Sequence, residues 1–402
     1  MGRAKGRRVL MIVENNPVPS DRRVWQEATA LRDAGYEVSI ISPRHAHAPR
    51  LRETIDGIRI MRHPRVIEAS RAWQYLIEYS NALFWEFVLG IWEIARRGVD
   101  VVHIANPPDA VFLLAPMFRL TGARVVFDQH DLSPEIYEAK YSRRGRAWRA
   151  LLTTERRSHQ SADIVITPNE SMRHLVIGRG GKKPDDVFVV RNGPDLNRFQ
   201  APSEPAPSDP ERRQTVCYVG IIGEQEGLGS YLRVIANIVH TQGRTDTRFL
   251  IVGDGSGLAA LKAEARAMEL SDHIEFTGFL RGDELIATLS SADVCVVPEP
   301  VTPLTEHSTL IKTMEYMAMG KPVVQYDLPE GRVTSGDTSL YAAQDDENDL
   351  ADKIVLLLDY PDMGARLGAE AAQRVRESLA WPHQIPDLLI AYDTVLTGDS
   401  HG

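Results

Sequence analysis

The 402-residue sequence is poor in cysteine, in long apolar runs and, over its second half, in positive charge. Its two cysteines, Cys217 and Cys295, lie in apolar runs typical of buried strands. We therefore expect two small buried thiols rather than a disulfide or a metal site. No apolar run approaches the ~20 residues that a membrane-spanning helix needs, and the first run, 9–13, ends at Glu14, too early for a signal-peptide core. These absences predict a cytoplasmic protein.

Charge divides the chain into two unlike halves. Residues 1–200 contain 31 Lys and Arg against 23 Asp and Glu, a net charge of +8, whereas the remainder carries −17. A basic first half could face an anionic partner, such as the inner face of a membrane or a phosphorylated acceptor. The arginines could equally form an ordinary solvated surface, and we expect no nucleic-acid partner.

Length and strand pattern predict two α/β domains, because 402 residues exceed one ordinary core. Short β-branched apolar runs alternate with helical patterns in both halves, which is typical of doubly wound, Rossmann-like domains facing a central cleft. A proline-rich segment, 201–213, separates a first domain, 1–200, from a second, 214–380, and a helical tail follows at 381–402. The predicted strands are 8–13, 36–42, 99–104, 123–127, 163–166, 186–190, 216–220, 249–253, 273–276, 294–297 and 322–325.

One helical segment, 74–97, stands apart because it is rich in aromatic residues. Glu78, Glu86 and Glu93 share one of its faces, so the pattern predicts an amphipathic helix and not a membrane span. Its aromatic side either packs against the core or lies on a membrane or an apolar acceptor channel.

The segment 308–324 has the pattern of a helix followed by a strand. Ser308 or Thr309 can cap the helix, and Gly320 can end it. We expect a buried stripe on one face, made by Ile311, Met314 and Ala318.

A cation and a carboxylate stand near the start of this helix. Lys312 adds a full charge to the free N–H groups of the helix N-terminus, which favours an anion such as a diphosphate. Glu315, one turn further on, repels phosphate but suits sugar hydroxyls. Together they predict a sugar nucleotide, with its diphosphate at the helix start and its ribose at Glu315.

Ligands of open α/β sheets bind at the carboxyl ends of the strands, so the loops there are candidate sites. His130 follows a strand between Asp128 and Asp131, where it is either catalytic or a structural imidazole held by a carboxylate. Gly-x-Ser-x-Gly, Walker, His-Glu-x-x-His and Asp-x-Asp motifs are absent, so a mechanism without metal or cofactor is the default. Other candidate loops are 14–23, 191–195, 220–227, 253–257 and 297–307.

The ordered set of motifs resembles the retaining GT-B glycosyltransferases, in particular glycosyltransferase family 4, or glycosyl transferases group 1. The resemblance spans nearly the whole chain. The matching segments are 21–23, 127–131, 192–195, 252–255, 276–278 and, most specifically, Glu315-Tyr316-Met317-Ala318-Met319-Gly320-Lys321-Pro322-Val323-Val324.

The resemblance implies transfer of a sugar from a nucleotide diphosphate donor, usually UDP, with retained configuration and no metal. The donor would lie mainly on the second domain, and the acceptor, a carbohydrate, a lipid-linked molecule or a small natural product, mainly on the first. The tail would cross back to the first domain. We assign catalytic roles to His130, Lys312 and Glu306. The donor-binding candidates are Gly220, Gly223, Gly253, Gly255, Leu280, His307, Ser308, Thr309, Leu310, Ile311, Lys312 and Glu315, and the acceptor-side candidates are Asp21, Arg23, Asp131 and Asn192.

Two departures from the family pattern place more weight on Lys312. The first of the family's two glutamates would fall at His307, and the nearest acid, Glu306, lies one position early. The usual Gly-Arg…Lys-Gly segment reads Gly220-Ile221…Glu226-Gly227 and lacks both cations that bind the diphosphate. Lys312 is the natural replacement, since one lysine near the leaving group can supply several kcal/mol of charge stabilisation.

Other function classes remain open at this point. A GT-B epimerase or hydrolase would convert the donor without any acceptor. A non-catalytic module would bind a sugar nucleotide without transferring its sugar. An NAD-dependent dehydrogenase is disfavoured, because the loop 14–20 contains no glycine.

Overall fold

The structure is a computed structural model that describes residues 6–45, 48–64, 72–200, 212–223 and 226–398. It divides into two compact units, one comprising the chain up to Asn192 together with the segment from Gln384 onwards, the other Gly193–His383. The prolines that predicted a linker, at 202, 205, 207 and 210, lie outside the described residues.

The first unit is built on an eight-stranded sheet, counted over the described residues, with strand order β3-β4-β2-β1-β5-β6-β7-β8. All neighbouring strands are parallel except the edge pair β3 and β4. The central strands are buried on both faces, as their uniformly apolar sequences require. The strands are β1 (Arg8–Ile12), β2 (Glu37–Pro43), β3 (Arg52–Ile55), β4 (Ile58–His63), β5 (Val101–Ala105), β6 (Arg124–Asp128), β7 (Ile164–Thr167) and β8 (Val187–Val189).

Helices connect these strands and cover the sheet. The first helix begins after Asp21, whose carboxylate accepts a hydrogen bond from the Val24 N–H group at the helix N-terminus. The helices are α1 (Arg22–Asp33), α2 (Ala72–Arg97), α3 (Val111–Arg119), α4 (Ser133–Tyr141), α5 (Arg146–Ser161) and α6 (Glu170–Gly178).

The second unit is built on a parallel sheet with six strands among the described residues, in the order β11-β10-β9-β12-β13-β14. Its strands are β9 (Thr215–Val219), β10 (Arg248–Val252), β11 (Ile274–Gly278), β12 (Val294–Val297), β13 (Val323–Tyr326) and β14 (Ser339–Ala342). Its helices are α7 (Leu228–Ala236), α8 (Leu258–Ala267), α9 (Gly282–Ser291), α10 (Ile311–Ala318), α11 (Pro329–Ser335), α12 (Glu347–Asp359) and α13 (Pro361–Arg374). The last helix, α14 (Trp381–Thr397), begins in this unit and ends in the first.

Two parallel-sheet α/β domains confirm the predicted fold class. The two cysteines are free and fully buried, as expected, and they lie opposite each other in the register of β9 and β12. Within the described residues, no helix combines the length and the apolar character of a membrane-spanning segment.

Three strands were not predicted, and each lies at or near a sheet edge. β3 and β4 are rich in charged residues, and β14 begins with a serine and contains no β-branched residue, so none of them forms the apolar run that marks a central strand. The helix predicted from 308 also begins later. Leu310 occupies the N-cap of α10 without a side-chain cap bond, whereas the Ser308 hydroxyl donates to the Leu304 carbonyl.

Candidate functional site

In the first unit, His130 stands on a buried ion pair at the carboxyl edge of the sheet. Its Nε2 lies 2.5 Å from Asp128 Oδ2, at the end of β6. Asp128 is fully buried and receives two parallel bonds from the Arg23 guanidinium, Nη2 to Oδ1 at 2.7 Å and Nε to Oδ2 at 3.0 Å. This bidentate geometry fixes the carboxylate, which in turn orients the imidazole.

Two further ionisable groups lie beneath this pair. Arg23 Nη2 is 3.2 Å from Glu27 Oε1, one helical turn along α1. His103 Nε2, on β5, is 3.4 Å from both Glu27 Oε2 and Asp128 Oδ2, and its Nδ1 is 2.9 Å from the Tyr392 hydroxyl. We refer to His130, Asp128, Arg23, Glu27 and His103 as the His130 cluster.

The protonation states of the His130 cluster follow from burial and from Arg23. Burial lowers the pKa of His130, but the Asp128 carboxylate outweighs it and the net shift is upward. Burial raises the pKa of Asp128, but Arg23 and His130 bring it well below its usual value. Burial, aided by Asp128, raises the pKa of Glu27 to about 7. His130 is therefore biased towards the imidazolium form, above a carboxylate that stays ionised.

The acceptor-side candidates have structural contacts in this unit. Asp21 caps α1. The Asn192 side-chain carbonyl accepts from Arg23 Nη1 at 2.6 Å, so Arg23 and Asn192 belong to the support of His130. Asp131 is half-buried beside His130, and burial raises the pKa of its carboxyl group.

Asn106 is a positioning residue that the sequence interpretation missed. Its side-chain oxygen accepts from the backbone N–H groups of His130, at 2.6 Å, and Asp131, at 3.1 Å. Its side-chain nitrogen donates to the Asp131 carbonyl at 2.8 Å. Asn106 directly follows β5 and precedes two prolines. A polar residue at the end of a strand could therefore have been recognised as a candidate from the sequence.

Two groups of ligand-type side chains occur among the described residues. One is Glu27, His103 and Asp128, where the Arg23 guanidinium already lies against both carboxylates. The other is buried and consists of Glu14, His63 and Glu86. Burial raises the pKa of Glu86 to about 8, which favours a protonated carboxyl group at neutral pH rather than a metal ligand.

In the second unit, glycine-containing loops meet at the carboxyl edge of the sheet. Gly253 has a φ of +146°, and a Cβ there would lie 1.8 Å from the Gly220 carbonyl oxygen. A Cβ on Gly255 would lie 2.4 Å from the Ile222 carbonyl oxygen, whereas one on Gly223 would meet open space. The loops after β9 and β10 therefore pack backbone against backbone, which only glycine permits.

The side chain of Lys312, on the first turn of α10, extends towards Gly220 at this edge of the sheet. Its Nζ donates to the Tyr218 hydroxyl at 3.1 Å, to Glu226 Oε2 at 3.3 Å and, over a shorter distance, to Glu299 Oε1. A Cβ on Gly220 would lie only 2.7 Å from the same nitrogen. We refer to Lys312, Glu226, Glu299 and Tyr218 as the Lys312 cluster.

The Lys312 cluster contains one more negative than positive charge when both glutamates are ionised. Burial lowers the pKa of Lys312, but Glu299, Tyr218 and Glu226 outweigh it and the net shift is upward, so the ammonium stays protonated. Lys312 is thus not the free cation that the sequence indicated. Glu299 is nearly inaccessible at 3% exposure, whereas Glu226 is 27% exposed.

The remaining donor-side candidates surround α10. Glu315 is buried, as are Met314 and Ala318, but Ile311 is 45% exposed, so its assignment to the buried stripe was wrong. The Thr309 hydroxyl donates to Glu330 Oε2 at 3.3 Å. Glu306 is exposed and His307 half-buried on a short 3₁₀ turn before the helix, and Leu280 and Leu310 pack at the edge of the core.

Two protein-family models match consecutive parts of the chain. Residues 20–198 match the model described as "Glycosyltransferase Family 4", and residues 213–360 match the model described as "Glycosyl transferases group 1". The chain belongs to this glycosyltransferase family. The family recognised from its motifs is thereby confirmed, and the chain is a transferase of the GT-B fold.

Named relatives of this glycosyltransferase use different sugars. This chain is 25% identical over 338 residues to the sulfoquinovosyl transferase SQD2 of Arabidopsis thaliana. The match covers 80% of this chain but only 60% of that protein's length. The chain is 26% identical over 362 residues to the 2-deoxystreptamine glucosyltransferase of Streptomyces kanamyceticus, covering 84% of this chain and 89% of the relative.

Solved structures share the fold of this glycosyltransferase. Sucrose-phosphate synthase from Thermosynechococcus elongatus superposes with a TM-score of 0.77 at 19% identity, over 98% of this chain and all of the other. Anabaena HepE in complex with UDP-glucose gives a TM-score of 0.71 at 13% identity, over 96% of this chain and 99% of the other.

Proposed function

We propose that this glycosyltransferase takes its sugar from a UDP-linked donor and transfers it to an acceptor hydroxyl with retained configuration and without a metal ion. The observation that carries the proposal is the protonated Lys312 ammonium at the first turn of α10, beside Gly220. A protonated amine at a helix N-terminus suits a diphosphate and the negative charge that develops on it as it leaves. The UDP-glucose complex of HepE, a protein of the same fold, supports UDP as the nucleotide.

The proposed roles follow the position of each group in its own unit. Lys312 and the N–H groups of α10 hold the diphosphate, and Glu315 receives the ribose hydroxyls. His130, biased towards its protonated form, contacts the donor sugar near the reacting carbon. Asp131 lies on the acceptor side, where Asn106 holds its backbone.

The proposed reaction is a displacement on one face of the sugar. The bond between the anomeric carbon and the diphosphate oxygen breaks, and the acceptor oxygen bonds to that carbon on the same face. The departing diphosphate oxygen takes the proton of the acceptor hydroxyl. That oxygen is therefore the base of the reaction, and Lys312 takes the place of a metal ion by stabilising the charge on the leaving group.

Donor binding is the first test. The whole protein is heated with UDP-glucose, ADP-glucose and GDP-mannose, and a ligand at 100 times its Kd should raise the free energy of unfolding by about 2.7 kcal/mol. We expect the UDP compound to stabilise most. Equal or greater stabilisation by another nucleotide contradicts the UDP assignment.

Transfer is tested with the donor that binds. Product formation in the presence of EDTA, with the anomeric configuration read by NMR, should show retention and no loss of rate. Rapid conversion of the donor without an acceptor would instead indicate an epimerase or hydrolase. Tight binding without transfer to any carbohydrate, lipid-linked or small natural-product acceptor would indicate a non-catalytic module.

A further inference from the structure

Helix α2 exposes one stripe of apolar side chains, while other apolar residues, such as Leu83 and Leu89, pack on the core and its carboxylates face inward. Glu78, Glu86 and Glu93 are all buried. At 100° per residue, the exposed apolar residues fall on one stripe that covers roughly a third of the helix circumference and runs about 21 Å along its axis. The stripe residues are between 38% and 58% exposed and comprise Ile77, Phe84, Phe87, Val88 and Ile91.

The inner face of α2 holds this orientation in place. Glu93 Oε1 accepts from Ser39 Oγ, on β2, at 2.7 Å and lies 3.6 Å from the Arg59 guanidinium. Gly90 is so close to α3 that a Cβ there would lie 2.9 Å from the Met117 side chain. Burial raises the pKa of Glu86 to about 8. Burying carboxylates while exposing large apolar side chains is unfavourable for the isolated chain, so the stripe indicates an external partner.

Arginines lie on both sides of the stripe. On one side, a pocket of about 370 Å³ beside Trp92 is lined by four of them, Arg52, Arg59, Arg96 and Arg97. On the other side, α3 packs against α2 and carries the exposed Leu113. Helix α5 follows, with a pocket of about 520 Å³ whose arginines are Arg149, Arg156, Arg157 and Arg179.

Several of these positive charges are not neutralised within the described part of the chain. Arg52 and Arg96 lie over the Trp92 ring, at 4.3 Å and 5.3 Å from its centroid, and neither forms an ion pair with a described carboxylate. The same holds for Arg149 and Arg156 on α5. The other arginines of the two pockets include Arg59, Arg97 and Arg179, which pair with carboxylates. An apolar stripe with unpaired arginines on both sides complements a surface that is apolar inside and anionic outside.

We propose that α2 docks this protein on the surface of an anionic lipid bilayer. The stripe enters the boundary between headgroups and acyl chains, and the flanking arginines contact lipid phosphates. A second copy of the chain fits the surface less well, because a symmetric interface would bring the same arginines of both copies together. The inference rests on the first unit alone and does not depend on the proposed reaction.

The test is sedimentation of the whole protein with vesicles. We expect binding to phosphatidylcholine vesicles that contain about a third phosphatidylglycerol, and far weaker binding to pure phosphatidylcholine. Phe84→Ser and Phe87→Ser should each weaken binding about tenfold. Arg52→Ser and Arg96→Ser should each weaken it about fivefold, and added salt should weaken it further.

Ile390→Ser is the matched control, since Ile390 is 54% exposed and lies on α14. Tyr392, on α14, contacts His103 on one face of the first sheet. The neighbouring strand residues Val102 and Ile104 point to the opposite face, where they pack with α3. Helix α14 therefore covers the face of the sheet opposite to α3. Vesicle binding should be unchanged in this variant.

Hydrogen exchange gives a measurement that needs no variant. The amides of α2 should gain protection when the wild-type protein binds anionic vesicles, whereas those of α14 should not. Absence of wild-type binding, equal binding to neutral vesicles, or equal loss in Ile390→Ser would overturn the proposal. The proposal would also be overturned if the protein does not bind vesicles and instead forms a dimer, seen by sedimentation velocity, that the Phe84→Ser variant cannot form.

Discussion

The two units each gather ionisable groups at the carboxyl edge of a parallel sheet, but the carboxylates of the two groups differ in access to solvent. The His130 cluster surrounds one buried guanidinium that contacts two buried carboxylates, and only its outermost member, His130, is partly exposed. The Lys312 cluster surrounds one ammonium with two carboxylates, of which Glu226 remains partly exposed.

This difference indicates that the Arg23 guanidinium is a rigid support, whereas the partners of the Lys312 ammonium are less constrained. The Arg23 guanidinium is held by Asp128, by the Val190 carbonyl and by Asn192, so its position leaves little freedom. Of the two carboxylates that contact Lys312, Glu226 is open to competition from another anion because it is partly exposed, whereas Glu299 is buried. The first cluster is therefore suited to orienting a side chain, and the second to receiving a charged ligand.

The largest effect is expected for Arg23→Met. This change leaves Asp128 and Glu27 buried without their cation, and removal of one partner from a buried ion pair typically costs 3–5 kcal/mol, so we expect a loss of about that size in the free energy of unfolding. Denaturant titration measures it. Arg149→Met, at an exposed position on α5, should change the free energy by less than about 0.5 kcal/mol. A loss below about 1 kcal/mol for Arg23→Met would show that the cluster is not held by this guanidinium.

The next effect is on catalysis, in Lys312→Met. Loss of the cation that we propose for the diphosphate site should lower kcat/KM by about 100-fold or more, because it removes charge stabilisation at the leaving group. Steady-state kinetics measures it, with Lys353→Met, at a surface lysine paired with Asp349, as the matched control.

Folding and catalysis must be separated for this variant, because Lys312→Met leaves Glu299 buried beside an apolar side chain. The double variant Lys312→Met with Glu299→Gln removes the uncompensated charge and should restore thermal stability while activity stays low. Activity within about threefold of wild type in either variant would rule out Lys312 as the diphosphate cation.

A smaller effect is the pH dependence of stability contributed by His130. Its folded pKa is raised above the ordinary value of about 6.5, so its bond to Asp128 adds stability that is fully present below that pH and lost as the pH rises through the folded pKa. His130→Gln should therefore be less stable than wild type at acidic pH, by on the order of 1 kcal/mol. The difference should shrink towards pH 9. A difference that grows with rising pH would contradict the upward shift.

The fold class could be predicted from the sequence, because central strands form continuous apolar runs. His130 and Lys312 could be selected as candidates, because one follows a strand and the other lies near the start of a helix. The partners of each charge could not be predicted, because pairs such as Asp128 with Arg23 join residues far apart in the chain. Local anomalies were nevertheless present. Glu27 lies four residues after Arg23 on a helix, and His103 interrupts the apolar strand β5. Either could have indicated a buried polar network.

The orientation of α2 shows a second limit of sequence patterns. Helical periodicity identified one face with glutamates and another with apolar residues, but periodicity does not state which face meets the sheet. The choice depends on tertiary contacts, such as the bond between Ser39 and Glu93 and the close approach of Gly90 to α3. The common expectation that carboxylates face solvent fails here.

The smallest effect, and the one that most directly tests the contrast between the two clusters, is that of Glu226→Gln on donor binding. Glu226 adds a second negative charge beside Lys312, where we propose that the diphosphate binds, so its neutralisation should tighten binding of UDP. The change should be only about threefold to tenfold, because Glu226 is partly exposed and solvent screens it. Calorimetric titration of UDP measures it, with Glu370→Gln, an exposed surface position on α13, as the control. Weaker binding in Glu226→Gln would show that this carboxylate holds the nucleotide instead of yielding to it, and the Lys312 cluster would then be as fixed as the His130 cluster.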